Sequence, residues 1–384
     1  MEADFAALRR EFPLLRHKTY LNSGSYCALA NRVKAAFEAY MQDRLLVGAN
    51  WDVWIGKNEA VRHGMAQLLR VKDDEIAITA SASAGLNALA SAFDFTGQRN
   101  KVVVSDFEFP TSAQIWHAQA GRGAQVVHAA PAEDGFIPLA HFDRLIDENT
   151  KLVAITHVCY RNGAKLDIAG IARLAHAKGA LMLLDCYQSV GTETIDARAL
   201  DIDFAVGGML KYLLGTAGLG FLYVRGALIP TLLPTNSGWF AQENIVAMDI
   251  TANHPSHTAR RFEAGTPAVV NCYAAEAGLA IINEIGTDAI GARVRSLTRL
   301  CLERLAETGW NAVTPAADDR HGPLIAVKAN NSAGLSDRLA SRDIVTSHRD
   351  GNLRLGFHYY NDESDIESVI AALVALRPEF HASA

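Results

Sequence analysis

The chain lacks an excess of charge, a long apolar run and paired cysteines, and each absence removes a class of protein. Lys and Arg number 36 against 42 Asp and Glu, for a formal charge of −6, and no basic run exceeds two residues. That balance leaves no electrostatic footprint for nucleic acid, so the expected partner is a small molecule. Apolar stretches such as Val369 to Leu376 fall far short of the roughly 18 residues that span a bilayer, so no membrane segment is expected. The five cysteines, Cys27, Cys159, Cys186, Cys272 and Cys301, have no CxxC spacing. This argues against a disulfide framework and structural zinc, and each reads as a small buried hydrophobe. There is no HxxxH or GxSxG motif, so metal and serine-hydrolase readings lack support. Gly215-Thr216-Ala217-Gly218-Leu219-Gly220 has the dinucleotide glycines in the wrong order and ends in a strand. The opening Met1-Glu2-Ala3-Asp4-Phe5 carries acids before any apolar stretch, unlike a signal peptide, and a cytoplasmic location is expected.

What is present describes a globular protein: 384 residues, 49% hydrophobic and 20% charged. At roughly 150 residues per domain the length suggests two domains. Between about residues 75 and 225, β-rich runs alternate with helical segments at βαβ spacing. The strand candidates are Glu75 to Ala80, Lys101 to Ser105, Gln125 to Ala129, Leu152 to His157, Ala180 to Asp185, Asp203 to Val206 and Leu219 to Val224. The clearest helix starts at the N-cap Asp167, carries Ile168, Ile171, Leu174 and Ala175 on one face, and stops at Gly179. The pattern predicts an α/β fold with a doubly wound, mostly parallel seven-stranded sheet. After residue 230 a Pro-, Asn- and His-rich loop (Pro234 to His257) precedes helical patterns over Val269 to Glu284 and Thr287 to Thr308. Short strands and a final helix, Glu363 to Leu376, complete an α+β segment. The expected division is a large domain over 15–245 and a small one made of 1–14 and 246–384.

Two residues carry the first chemical signal. Lys211 lies 26 residues after Asp185, and both follow strand candidates, where open parallel sheets bind ligands. A lysine that binds an aldehyde as a Schiff base and a carboxylate that keeps a pyridine nitrogen protonated are the pair that pyridoxal phosphate needs. Taken alone, the acid reads equally as a turn residue and the lysine as a solvated one. Thr79-Ala80-Ser81-Ala82-Ser83-Ala84-Gly85 leads a strand into a helix through small residues and hydroxyls, which suits either a phosphate or an ordinary Ser cap. Glu108-Phe109-Pro110-Thr111-Ser112 follows a strand at the same rim, and Phe109 is either a ring-stacking aromatic or a core residue ahead of Pro110. Arg354, flanked by apolar residues in Asn352-Leu353-Arg354-Leu355-Gly356, suits a substrate carboxylate or a structural ion pair.

In order along the chain stand Thr156-His157-Val158-Cys159-Tyr160-Arg161-Asn162-Gly163, Asp185-Cys186-Tyr187-Gln188, Asp203-Phe204-Ala205-Val206, Lys211-Tyr212 and Leu222-Tyr223-Val224-Arg225. Arg261-Phe262-Glu263-Ala264-Gly265-Thr266-Pro267 and Arg354 followed by Tyr360-Asn361 complete the set. From about Tyr20 to Leu376 the chain resembles the class V aminotransferases of pyridoxal phosphate fold type I, especially the branch with kynureninase, isopenicillin N epimerase and cysteine desulfurases.

The resemblance implies pyridoxal 5'-phosphate as cofactor, with Lys211 as the Schiff-base lysine and base for the Cα proton. It places Asp185 on the pyridine nitrogen and Gln188 on the ring oxygen. Phe109 would stack on the ring, Ala82 with Ser83 would cradle the phosphate, and Thr111 would be a further cofactor contact. Trp239 and Thr266 would reach the phosphate of a neighbouring subunit, which implies a homodimer. Arg354 would take the carboxylate of an amino-acid substrate. Apart from the resemblance, Asn22 to Tyr26, Tyr160, His348 and His358 are polar and aromatic candidates for lining the substrate site. Relatives often carry Ser and His, or Tyr, just before the lysine, where this chain has Gly208 and Leu210. It also has no Cys in Thr346-Ser347-His348-Arg349-Asp350-Gly351, where desulfurases place theirs, so a persulfide-forming desulfurase is not expected. The expected reaction is β-elimination or cleavage at Cβ; transamination is the alternative, epimerisation the third, and a non-catalytic binding module the reading from outside enzymes.

Overall fold

The computed structural model describes residues 3–381. A two-residue strand, β1 (Thr19–Tyr20), precedes the main sheet. That sheet comprises β2 (Ile76–Thr79), β3 (Lys101–Ser105), β4 (Gln125–Ala129), β5 (Thr150–Thr156), β6 (Leu181–Asp185), β7 (Phe204–Gly208) and β8 (Gly220–Val224). The spatial order is β2-β8-β7-β6-β5-β3-β4, and only β8 runs against its neighbours. The expected seven-stranded, mostly parallel sheet is the one observed. Central strands such as β6 (Leu-Met-Leu-Leu-Asp) read as continuous apolar runs because helices cover both faces, whereas the edge strand β4 exposes Gln125 and His128.

Chain order reverses between β3 and β5, since β4 lies outside β3 and the chain crosses back to form β5. This is a switch point of the kind that opens a crevice at the carboxyl ends of the strands. The helix Ile168–Ala177 is capped as its sequence indicates: Asp167 accepts from the Gly170 N–H at 2.9 Å, and Gly179 takes φ +68° after the last turn.

Beyond the sheet, the helix Val269–Ile285 packs on the helices Asn31–Leu46 and Trp51–Leu69. The C-terminal strands are β9 (Leu324–Lys328), β10 (Ile344–Val345), β11 (Ser347–Arg349) and β12 (Asn352–Gly356). Strands β11, β12 and β9 form an antiparallel sheet, and β10 pairs with β1. Gly356 N–H donates to Leu21 O at 2.8 Å, which brings the 21–26 segment beside β12. The final helix runs Glu363–Phe380, past the expected end at Leu376, with Pro378 inside it. Only the last turn is affected, so one lost backbone bond is offset by burial of Leu376 and Phe380. Among the described residues no helix is long and apolar enough to cross a membrane.

Candidate active site

Asp185 is the last residue of β6 and is 8% exposed. Its Oδ1 accepts from the Tyr187 N–H at 3.0 Å. Burial pushes its carboxyl up, while that hydrogen bond and the Lys211 charge pull it down. A cationic ring nitrogen is the kind of partner that offsets such burial. Lys211 lies three residues past the end of β7, at the same rim. Burial first, then the charges of Arg354 and Arg349, bring its ammonium down to about 8 against the opposing pull of Asp185. Its Nζ lies 4.4 Å from the centre of the Tyr187 ring and 5.9 Å from that of Phe109.

These groups open onto a cavity of about 320 Å³, within the range of small-molecule sites. One end is the start of the helix Ala82–Ser91, where the Ser81 hydroxyl accepts from Ala84 N–H at 3.0 Å. Phe109 is 47% exposed and lines the cavity, so it is not the core residue its alternative reading made it. It meets Tyr160 edge to face, with ring centres 5.1 Å apart, across the switch point between β3 and β5. Gln188 donates through Nε2 to Gly24 O at 3.1 Å, while its buried Oε1 has no partner among the described residues. One amide hydrogen and one acceptor of this cavity-lining residue therefore remain unpartnered.

Arg354, on β12, is 3% exposed. Its Nη1 donates to Tyr160 O at 2.6 Å, and its Nη2 to the hydroxyls of Ser25 and Ser347, both at 3.0 Å. Nε is buried without a partner, and no carboxylate among the described residues pairs with the group. Burial and the nearby Arg349 bring it down to about 10. A buried guanidinium held by neutral acceptors alone keeps the capacity to pair with an anion. The Tyr160 carbonyl is fixed by the turn that ends in Gly163, whose φ is +76°. A Cβ there would run into the backbone carbonyl of Leu324 on β9, so the turn requires glycine.

The fold thus gathers Ala82, Ser83, Phe109, Thr111, Tyr160, Asp185, Gln188 and Lys211 around one cavity, with Arg354 bonded to its lining. Asn22, Trp239 and Thr266 do not line it. Asn22 pairs with Gly356 beside Arg354, Trp239 sits edge-on to Trp51 at 6.0 Å, and Thr266 is exposed. His348 is exposed, and His358 is wholly buried, with Nε2 bonded to Tyr212 O at 3.1 Å; neither lines the cavity. Sequence reasoning passed over Tyr187 and Glu108. The Glu108 carboxylate lies under the rim, accepts from Ser105 Oγ at 2.6 Å and Thr156 N–H at 2.7 Å, and is pushed up to about 8 by burial. Its place inside the Phe109 motif was the available signal.

Pyridoxal phosphate fits these residues on the structure's own terms. They supply a lysine amine with a low pKa, a buried carboxylate, an exposed aromatic face, a half-satisfied amide, a helix start for the phosphate and an unpaired arginine for a substrate carboxylate.

The family model described as aminotransferase class-V matches residues 54–369. An uncharacterized aminotransferase of Bacillus subtilis, YcbU, is 33% identical over 367 residues, covering 96% of each chain. The kynureninase of Deinococcus radiodurans is 30% identical over 397 residues, covering 98% of this chain and 94% of its own. A cysteine desulfurase structure from Thermococcus onnurineus superposes with a TM-score of 0.88 over 98% of both chains at 22% identity, a likeness of fold. The chain belongs to the class-V aminotransferase family and is a pyridoxal phosphate-dependent enzyme.

Proposed function

We propose that the enzyme takes an amino acid by its α-carboxylate and cleaves a bond at the β-carbon, by elimination or by Cβ-bond scission. The observation that carries this reading is Arg354, a buried guanidinium with no anion among the described residues, bonded to Tyr160 and Ser25 in the lining of the Lys211 cavity. Its Nε–H and one Nη1–H are uncommitted, and Nη2 is held only by neutral hydroxyls, one of which a carboxylate bridging Nε and Nη2 would displace. Lys211, with a pKa near 8, is then free to accept the Cα proton at Nζ near neutral pH. Asp185 would hold positive charge at the ring nitrogen of the bound cofactor, and the rings of Phe109 and Tyr160 wall one side of the site. Pyridoxal phosphate supplies the electron sink for the bonds at Cα.

Likeness to the Deinococcus kynureninase supports cleavage at Cβ over other fates of the Cα proton. All five cysteines are buried and none lines the cavity, which speaks against a cysteine nucleophile that would carry sulfur away. Transamination is the second reading, favoured by the 33% likeness to the Bacillus aminotransferase. Trp239 and Thr266, away from the cavity of their own chain, are proposed to complete the site of a second copy in a homodimer.

The two reactions separate by stoichiometry. Incubated with β-substituted amino acids and no 2-oxo acid acceptor, a β-cleaving enzyme turns over repeatedly and releases ammonia. A transaminase stops after one equivalent per site with the cofactor in its amine form, and that result would overturn the proposal.

A further inference from the structure

We propose that the phenol hydroxyl of Tyr187 is a donor to the cofactor phosphate, and that residue 208 is glycine to admit it. The proposal rests on the phosphate lying at the start of the helix Ala82–Ser91. Among the described residues Asp185 and Lys211 are the only charged ones that line the cavity, and Lys211 is committed to the aldehyde. The phosphate dianion must therefore be held by backbone N–H groups and hydroxyls. The Ser81 hydroxyl accepts from Ala84 N–H, which fixes its oxygen at the helix cap and leaves it a single O–H donor.

The position of Tyr187 follows from two glycines. Gly208 on β7 and Gly220 on β8 face each other in antiparallel register. A Cβ built on Gly220 would lie 2.6 Å from Ala82 N, so this strand position abuts the helix start. A Cβ built on Gly208 would collide with the Tyr187 hydroxyl and come within 2.5 and 2.6 Å of its ring carbons Cζ and Cε2. Paired residues have Cβ positions about 5 Å apart on one face of a sheet, so the phenol oxygen and Ala82 N lie within roughly 10 Å, with the cavity beside both. The Tyr187 N–H is taken by Asp185, whereas the hydroxyl has no protein partner among the described residues. Tyr187 thus fills the space that a side chain at 208 would occupy and delivers a hydroxyl there.

The test compares dissociation constants of the apoprotein for pyridoxal phosphate and for pyridoxal, which lacks the phosphate, by absorbance titration. A donor to the phosphate makes the preference for the phosphorylated form fall by roughly tenfold or more in Tyr187→Phe, with pyridoxal affinity held. Gly208→Ser alone displaces the phenol and lowers the same ratio. Tyr187→Ala with Gly208→Ser, which removes the clash and supplies a new hydroxyl, recovers the ratio relative to Tyr187→Ala. An unchanged ratio in Tyr187→Phe, or equal weakening of both ligands, would overturn the proposal, and comparing a ratio removes any common loss of folded protein. A wild-type protein that does not prefer the phosphorylated form would instead sink the placement of the phosphate.

Discussion

Arg354→Leu tests the carboxylate clamp through a ratio rather than a rate. In the protein three of the five guanidinium N–H groups are used, by Tyr160 O and the hydroxyls of Ser25 and Ser347, and Nε is unpartnered. A carboxylate bridging Nε and Nη2 in place of one serine hydroxyl would make two charge-assisted bonds, at about 1.5–3 kcal/mol each. Their loss is worth roughly 3–6 kcal/mol, on the order of 10²–10⁴ in kcat/KM. An amine with the same side chain but no carboxylate never makes those bonds. The assay is kcat/KM for an amino acid substrate and for its decarboxylated amine, in wild type and in Arg354→Leu. The ratio of the two is expected to fall by at least about a hundredfold, while disturbance of Tyr160 or Ser25 lowers both alike and cancels. Equal losses for acid and amine would refute the clamp and leave Arg354 a structural residue.

Lys211 sets the pH dependence of cofactor uptake: with a pKa of about 8, roughly a quarter of the amine is neutral at pH 7.5, against about a thousandth for an ordinary lysine. Uptake by the apoprotein, followed by absorbance, should level off above about pH 8; a continued tenfold rise per unit towards pH 10 would contradict the assignment. Glu108, pushed up to about 8, keeps a proton in the folded state that the unfolded chain has lost above about pH 4.3. Stability therefore falls as pH rises through that window, by at most about 1.4 kcal/mol per unit, and urea unfolding of Glu108→Gln should lose that slope. Gly163→Ala places a Cβ against the Leu324 carbonyl at φ +76°, so it should cost upwards of about 1 kcal/mol and, by moving the Tyr160 carbonyl, raise KM.

The sheet was legible because its central strands are buried on both faces and read as near-continuous apolar runs between helices with clear caps, Asp167 and Gly179 among them. Site residues fixed by position along a strand or at a helix start were equally legible: Asp185 closes β6, and Ser81 to Ser83 open a helix. Direction was not. Tyr187 stands two residues from Asp185, and only the empty space over Gly208, some 20 residues later in the chain, sends its ring into the cavity. His358 was a candidate for its polar, aromatic side chain alone, yet the chain beyond β12 turns it into the core. The final helix outran its expected end because a proline in a last turn costs little when apolar residues on either side are buried.

The central claim is that the cavity around Lys211 is where the cofactor binds. Borohydride reduction of the holoenzyme, followed by peptide mass mapping, tests it most directly. The reduced cofactor should be recovered on the peptide that holds Lys211, at one per chain, and a Lys211→Ala protein should take no label there. Label on another lysine, such as Lys165 or Lys178, with Lys211 unmodified, would contradict the account.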